Sequence, residues 1–106
     1  MALMASLVAA CAVAGAQIWT SSRATRLLRE DGAVAGVEVN GAGGPVLARA
    51  SQVILASGGF EFNGALVREW VGETLEGAWS CPGNEGDGLA MAQSAGAALS
   101  AMGEVQ

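Results

Sequence analysis

The sequence predicts an α/β fold that contains a three-stranded antiparallel β-meander, and three observations carry the prediction. An Ala-rich apolar run closes on Gly15 and passes into a short extended stretch. Three short segments between residues 26 and 50 are joined by Asp-Gly and Asn-Gly turns, and an unbroken apolar run, Gln52 to Ala56, stops at Ser57-Gly58-Gly59. Helix, glycine and strand in succession belong to mixed layers of α and β structure. The 106 residues suffice for one small domain or part of one.

The first element is residues 1–16, MALMASLVAACAVAGA, within a stretch that carries no charged side chain before Arg23. Leu3, Leu7 and Cys11 recur at helical spacing, with Met4 and Val8 beside them. This predicts a buried or half-buried helix in which Cys11 is small core packing. A secretory signal would put basic residues ahead of the apolar run, and here they follow it. A spanning helix needs about 20 predominantly apolar residues, and Ser6, Gly15 and Gln17 dilute this one. A membrane-anchored or secreted product is the alternative that these residues leave open.

Gln17 to Thr20 is expected to be extended. Arg26–Arg29, Val34–Val39 and Pro45–Ala50 are expected strands, separated by turns at Asp31-Gly32 and Asn40–Gly44. The glycines at 41, 43 and 44 do not form a G-x-G-x-x-G dinucleotide turn, because Pro45 and a strand follow where that motif requires a helix.

Gln52–Ala56 reads as a strand covered on both faces in a parallel sheet. Ligands of such sheets sit beyond the carboxyl ends of the strands, and Gly58 and Gly59 would let one approach the backbone. An ordinary turn uses the same residues. A helix follows over Ala65–Val71, with Leu66, Val67, Trp70 and Val71 as its apolar side, and then an aperiodic loop, Glu73–Asn84. Trp79 in that loop either stacks on a ligand or anchors the loop to the core, and anchoring is the commoner use. Cys81, before Pro82, is expected to be the more exposed thiol.

The last element opens at Gly83-Asn84-Glu85-Gly86-Asp87-Gly88. Leu89, Ala92, Ala95 or Gly96, and Leu99 keep helical spacing, and Asp87 is expected as the N-cap. The same start of a helix offers free amides and a carboxylate to sugar hydroxyls.

Composition removes several chemistries. There is no His, Tyr or Lys, and all five positive charges are Arg. Ser-His-Asp, Cys-His, imidazole-metal and Schiff-base mechanisms therefore have no residues to use, and no catalytic residue is expected. Cys11 and Cys81 lack C-x-x-C spacing, so neither a metal site nor a redox dithiol is expected. The net charge is −5, and the cluster Arg23, Arg26, Arg29, offset by Glu30 and Asp31, reads as a solvated face. Nucleic acid is not an expected partner.

Two motifs in order carry a resemblance: VILASGGFEFN, Val53 to Asn63, and PGNEGDGLAMAQSAGAALSAM, Pro82 to Met102. Together they resemble the FAD-binding domain of the fumarate reductase/succinate dehydrogenase flavoprotein superfamily, and within it the FAD-dependent 3-oxosteroid 1-dehydrogenases. Residues 2–39 are similar to the family's helix, short strand, Thr-x-Ala/Val-x-x-Leu turn (here Ser22 to Leu27) and Asp-Gly-x-Val-x-Gly-Val meander (here Asp31 to Val37). Ser57 stands where the family usually has Thr, and Glu85 where Thr is frequent.

The resemblance implies that residues 1–106 are one partial, Rossmann-like FAD-binding domain without the N-terminal G-x-G-x-x-G unit. It implies FAD as cofactor, with Ala24 meeting the adenine side through its backbone. Ala56, Ser57, Gly58 and Gly59 would line the cofactor, and Gly86 and Asp87 would contact it. The function implied is a cofactor-cradle segment of a cytoplasmic FAD-dependent oxidoreductase acting on CH–CH bonds, with 3-ketosteroid or fumarate-like small molecules as substrates and no activity alone. The alternative is a small non-enzymatic α/β protein, or a truncated product, that acts through association with another chain.

Overall fold

A computed structural model describes residues 2–73 and 75–103. In chain order the elements are α1 (Ala2–Val13), β1 (Arg23–Glu30), β2 (Ala33–Gly41), β3 (Gly44–Arg49), α2 (Gly64–Trp70) and α3 (Asp87–Ser94). The strands form one antiparallel sheet in the order β1-β2-β3. Asp31 and Gly32 turn the first hairpin with φ of 49° and 82°. Positive φ at both central residues is the I′ pattern, whose twist matches that of the flanking strands. The second turn is tighter than expected: Asn40 and Gly41 remain in β2, opposite Pro45 and Gly44, and Ala42-Gly43 makes the bend. Pro45 is tolerated because β3 is an edge strand.

Two register shifts interrupt the β1–β2 ladder, between Ala24 and Arg26 and between Leu28 and Arg29. The first leaves Thr25 as an extra residue, and its hydroxyl lies 3.3 Å from the Glu38 carbonyl and 3.2 Å from Glu38 Oε1. β1 begins at Arg23, three residues earlier than expected, so Ser22–Leu27 is mostly strand rather than turn. This places Ala24 beside the bulge.

α3 packs against β1. The core is small: Leu28 of β1, Val39 of β2, Val67 of α2 and Met91 of α3 are the buried apolar side chains among the described residues. Both α1 and α3 end in a Schellman motif. Ala16 donates to the Cys11 carbonyl and Gly15 to Ala12, and Ala97 donates to Ala92 and Gly96 to Gln93, all at 2.9–3.0 Å. Gly15 thus closes the first helix as expected. α3 stops at Ser94, so Leu99 is not on it, because the Gly96 motif ends the helix ahead of the expected repeat.

Several expectations are corrected. α1 buries none of its side chains; Leu3 is 71% exposed and Cys11 is also exposed. Its apolar residues surround the helix rather than forming one stripe, and no described element lies against it closely enough to cover them. Gln17–Thr20 and Gln52–Ala56 are not strands. A strand exists only by pairing, and among the described residues neither segment has a ladder partner; Ile54 is 90% exposed. Trp79 anchors nothing, because its ring stands fully in solvent. Cys81 is exposed and unpaired, but so is Cys11, so the expected contrast between the two thiols is not seen. Among the described residues no helix is long and apolar enough to cross a membrane.

Candidate functional site

Three segments far apart in sequence converge at one end of the fold: the start of β1, the turn Ser57–Phe60, and the turn Asn84–Gly88 at the head of α3. Backbone and amide groups hold the last two together. Gly86 N–H donates to the Gly59 carbonyl and Phe62 N–H to the Asn84 carbonyl, both at 3.0 Å. Asn63 Nδ2 donates to the Glu85 carbonyl at 3.0 Å, and Asn84 Nδ2 to Glu61 Oε1 at 2.6 Å. The Asn84 and Ser80 side chains hold the Glu61 carboxyl below the usual carboxylate range. Asn63 also caps α2, its Oδ1 accepting from the N–H groups of Ala65 and Leu66.

Gly86 is buried and takes φ of 89°. A Cβ there would sit 2.6 Å from Leu66 Cδ1 and 3.1 Å from Phe60 Cβ, so the residue is glycine for both conformation and space.

β1 joins the same turn through Arg23. Its Nε lies 2.7 Å from Asp87 Oδ2, its Nη2 2.7 Å from Asp87 Oδ1, and Nη2 reaches Glu85 Oε2 at 3.1 Å. The guanidinium holds the Asp87 carboxyl below its ordinary range, the hydrogen bonds being the largest cause, and the carboxylates raise Arg23 in turn. Asp87 is therefore not the N-cap. Gly86 occupies that position with no side-chain hydrogen bond, and Asp87, the first residue of α3, turns its carboxylate to Arg23. There it also places negative charge at the positive end of the helix dipole.

These contacts leave small open cavities. One of about 280 Å³ is lined by Leu55, Ala56, Ser57, Gly58, Gly59 and Phe60 on one side and by Gly88, Leu89 and Ala92 on the other. A second, of about 170 Å³, lies between Ala24, with Arg23 and Thr25, and Asp87, with Ala90. A polar one of about 380 Å³ is bounded by Arg23, Phe62, Asn63, Gly64, Glu85 and Asp87. Of the residues singled out in the sequence, six thus fall in two neighbouring grooves, Ala56 to Gly59 in the first and Ala24 and Asp87 in the second. Gly86 is buried within the turn and lines neither groove.

Sequence reasoning missed Arg23. Arg23, Arg26 and Arg29 are exposed, as expected of a solvated face, but Glu30 and Asp31 are not what offsets them: Arg26 pairs with Glu38 at 2.8 Å, Glu30 pairs with Arg49 at 2.7 Å, and Arg23 crosses to α3. Asn63 and Asn84 were also not singled out as fasteners. A separation of 64 residues between Arg23 and Asp87 leaves no local signal of their pairing.

Small residues and backbone amides line grooves at the head of a helix, and such a surface suits a large, flat, polyhydroxylated cofactor more than a reacting centre. The first groove admits such a group along Ala56, Ser57, Gly58, Gly59, Gly88 and Ala92, which bring no bulky side chain, while Leu55, Phe60 and Leu89 give it apolar flanks. The class defined by fold and site is a cofactor-binding domain. Residues 1–106 match the model of the FAD binding domain family, and the chain belongs to that family, whose cofactor is FAD.

Similar proteins agree. The chain is 39% identical over 100 residues to a 4-oxocyclohexanecarboxylate 2-dehydrogenase of Sinomonas cyclohexanicum, a match that covers 91% of this chain and 17% of that protein. It is similar in structure to 3-ketosteroid-Δ4-(5α)-dehydrogenase from Rhodococcus jostii RHA1, solved with 4-androstene-3,17-dione, with a TM-score of 0.82 at 27% identity over 91% of this chain and 20% of that one. The 3-ketosteroid Δ1-dehydrogenase of Sterolibacterium denitrificans, solved with 1,4-androstadiene-3,17-dione, gives a TM-score of 0.78 at 27% identity over 88% of this chain and 18% of that one. The chain thus spans about a fifth of the length of the relatives it matches.

Proposed function

We propose that residues 1–106 act as one cofactor-cradle segment of a cytoplasmic FAD-dependent oxidoreductase that oxidises or reduces a CH–CH bond. The observation that carries this reading is the convergence of the Ala56–Gly59 segment and the head of α3, Gly88 to Ala92, on one groove, with Asp87 facing Ala24 across a second. Ala56, Ser57, Gly58 and Gly59 would hold FAD along one wall and Asp87 would accept from its hydroxyls, with Ala24 offering backbone to the adenine side. Gly86 would serve indirectly, by keeping Asp87 and Gly88 at the groove. When bound, the flavin supplies the hydride or electron transfer.

The chain's own part is to bind and orient. With no His, Tyr or Lys, its remaining acid–base side chains are carboxylates and thiols. A small-molecule substrate and its proton-handling residues belong to the rest of such an enzyme. The relatives' names describe ring ketones, which favours a cyclic ketone substrate over a fumarate-like dicarboxylate. The acidic balance gives no basis for a nucleic acid partner.

One observation also favours the reading of a product that works by associating with another chain. The accessible surface is 7900 Å² and the radius of gyration 15.9 Å. A folded monomer of this size has about 5,400 Å² and about 13 Å.

The test is an NMR titration of the chain with FAD. The cradle reading expects weak binding or none from the isolated chain, with any shifts at Ala24, Ala56 to Gly59 and Gly86 to Gly88; FAD-induced shifts confined to other residues contradict it. Stoichiometric flavin on the purified chain would show that binding does not need a G-x-G-x-x-G unit.

A further inference from the structure

We propose that Arg23 is a positioning residue that fixes the Ala24 strand to the Asp87 turn, so that the two walls of the cavity between them keep one spacing. The proposal rests on the reading of Ala24 and Asp87 as cofactor-facing, and it goes beyond that reading by naming what sets their separation.

The geometry is specific. Both Asp87 oxygens are engaged side-on by the planar guanidinium, and Glu85 takes a further bond from Nη2, so the fork is held from two directions. The ion pairs of Arg26 and Arg49 stay within the meander, with Glu38 and Glu30, whereas that of Arg23 joins the sheet to the helix layer. The strand end it grips is otherwise set by the Thr25 bulge, a feature that re-aims the backbone beside it. Asp87 makes no cap bond that would compete for its carboxylate.

Exposure separates positioning from stabilisation. The Arg23 side chain is 60% exposed, and exposed ion pairs add little to folding. Its planar fork nonetheless fixes direction, which a lysine ammonium does not.

The experiment compares the wild-type chain with Arg23→Gln, Arg23→Lys and the control Arg26→Gln. NMR follows the Asp87 carboxyl through pH and the Ala24 and Gly88 amides through an FAD titration. Arg23→Gln is expected to return the Asp87 midpoint to the ordinary carboxylate range and to move the Ala24 and Gly88 amides together, with only the small fall in thermal midpoint that losing an exposed ion pair brings. FAD-induced shifts at those amides are expected to need about tenfold more FAD. Arg23→Lys should recover the charge effect on Asp87 but only part of the FAD response, and Arg26→Gln should leave both alone.

An Asp87 midpoint unmoved in Arg23→Gln, or amides moved equally by Arg26→Gln, overturns the proposal. FAD that shifts Ala24 and Gly88 equally in wild type and Arg23→Gln overturns the role of Arg23 alone. FAD that shifts other residues but neither amide in the wild type overturns the cofactor reading itself, and the positioning role with it, while the Asp87 midpoint still reports the pair.

Discussion

The side-chain amide of Asn63 reaches the carbonyl of Glu85 at 3.0 Å while its oxygen caps α2, so one residue ties the start of a helix to a turn 22 positions away. Removing the side chain loses both functions. Asn63→Ala is expected to cost about 1 kcal/mol for the cap and about 1 more for the bond to Glu85. Asn63→Asp keeps the acceptor and loses the donor, so its cost should fall between wild type and Ala. Urea unfolding of the three proteins checks the order.

Three glycines separate conformational strain from steric space. At Gly86 φ is 89° and a Cβ meets Leu66 and Phe60; at Gly32 φ is 82° but the space is open; at Gly43 the space is open and no positive φ is needed. Gly86→Ala is expected to cost about 2 to 4 kcal/mol, Gly32→Ala about 1, and Gly43→Ala less than about 0.5. A Gly86→Ala protein as stable as Gly43→Ala would show that the turn can move away from Leu66.

Acid should weaken the fold through three carboxylates. Arg23 lowers Asp87, Arg26 and then Thr25 lower Glu38, and Asn84 and then Ser80 lower Glu61. A folded-state pKa below the unfolded value stabilises the protein above the unfolded value, about 4, and this stabilisation is lost as pH falls through the folded value. The urea midpoint is therefore expected to hold between about pH 7 and 5 and to drop below about pH 4. Asp87→Asn and Glu61→Gln should each make that drop shallower, and a midpoint that rises on acidification contradicts the assignment.

The parts of the fold readable in the sequence are those decided within a few residues. Asp31-Gly32 sets its hairpin, Gly15 ends its helix, and the groove residues Ser57 to Gly59 lie in a short run between an apolar stretch and a helix. Misreadings fell where the outcome depends on a distant partner. Asp87 has the composition of a cap, yet its carboxylate goes to an arginine 64 residues earlier. Val53 to Leu55 have the composition of a central strand, but a strand needs a neighbour to pair with, and among the described residues it has none. Trp79 has the residue type of an anchor and no described surface to anchor on.

The exposed apolar side chains give the last prediction. Leu3, Met4, Leu7 and Val8 stand out from α1, and Ile54 and Trp79 from irregular segments. Contiguous apolar patches beyond a few hundred Å² are rare on soluble monomers and mark interaction surfaces. The chain is expected to self-associate, and the double variant Leu3→Gln/Leu7→Gln should raise the monomer fraction in sedimentation velocity. Gln and Leu have nearly the same helix propensity, so an α1 that is solvated in the monomer should keep its helix content, and at concentrations where both proteins are monomeric the unfolding free energy should not fall. If the unfolding free energy of the monomer instead falls by about 2 kcal/mol or more, those leucines are buried against the rest of the chain in solution, and α1 is part of the core. A monodisperse wild type with an unchanged double variant would remove the argument that this surface needs a partner, and with it the structural support for reading the chain as a segment that works against further protein.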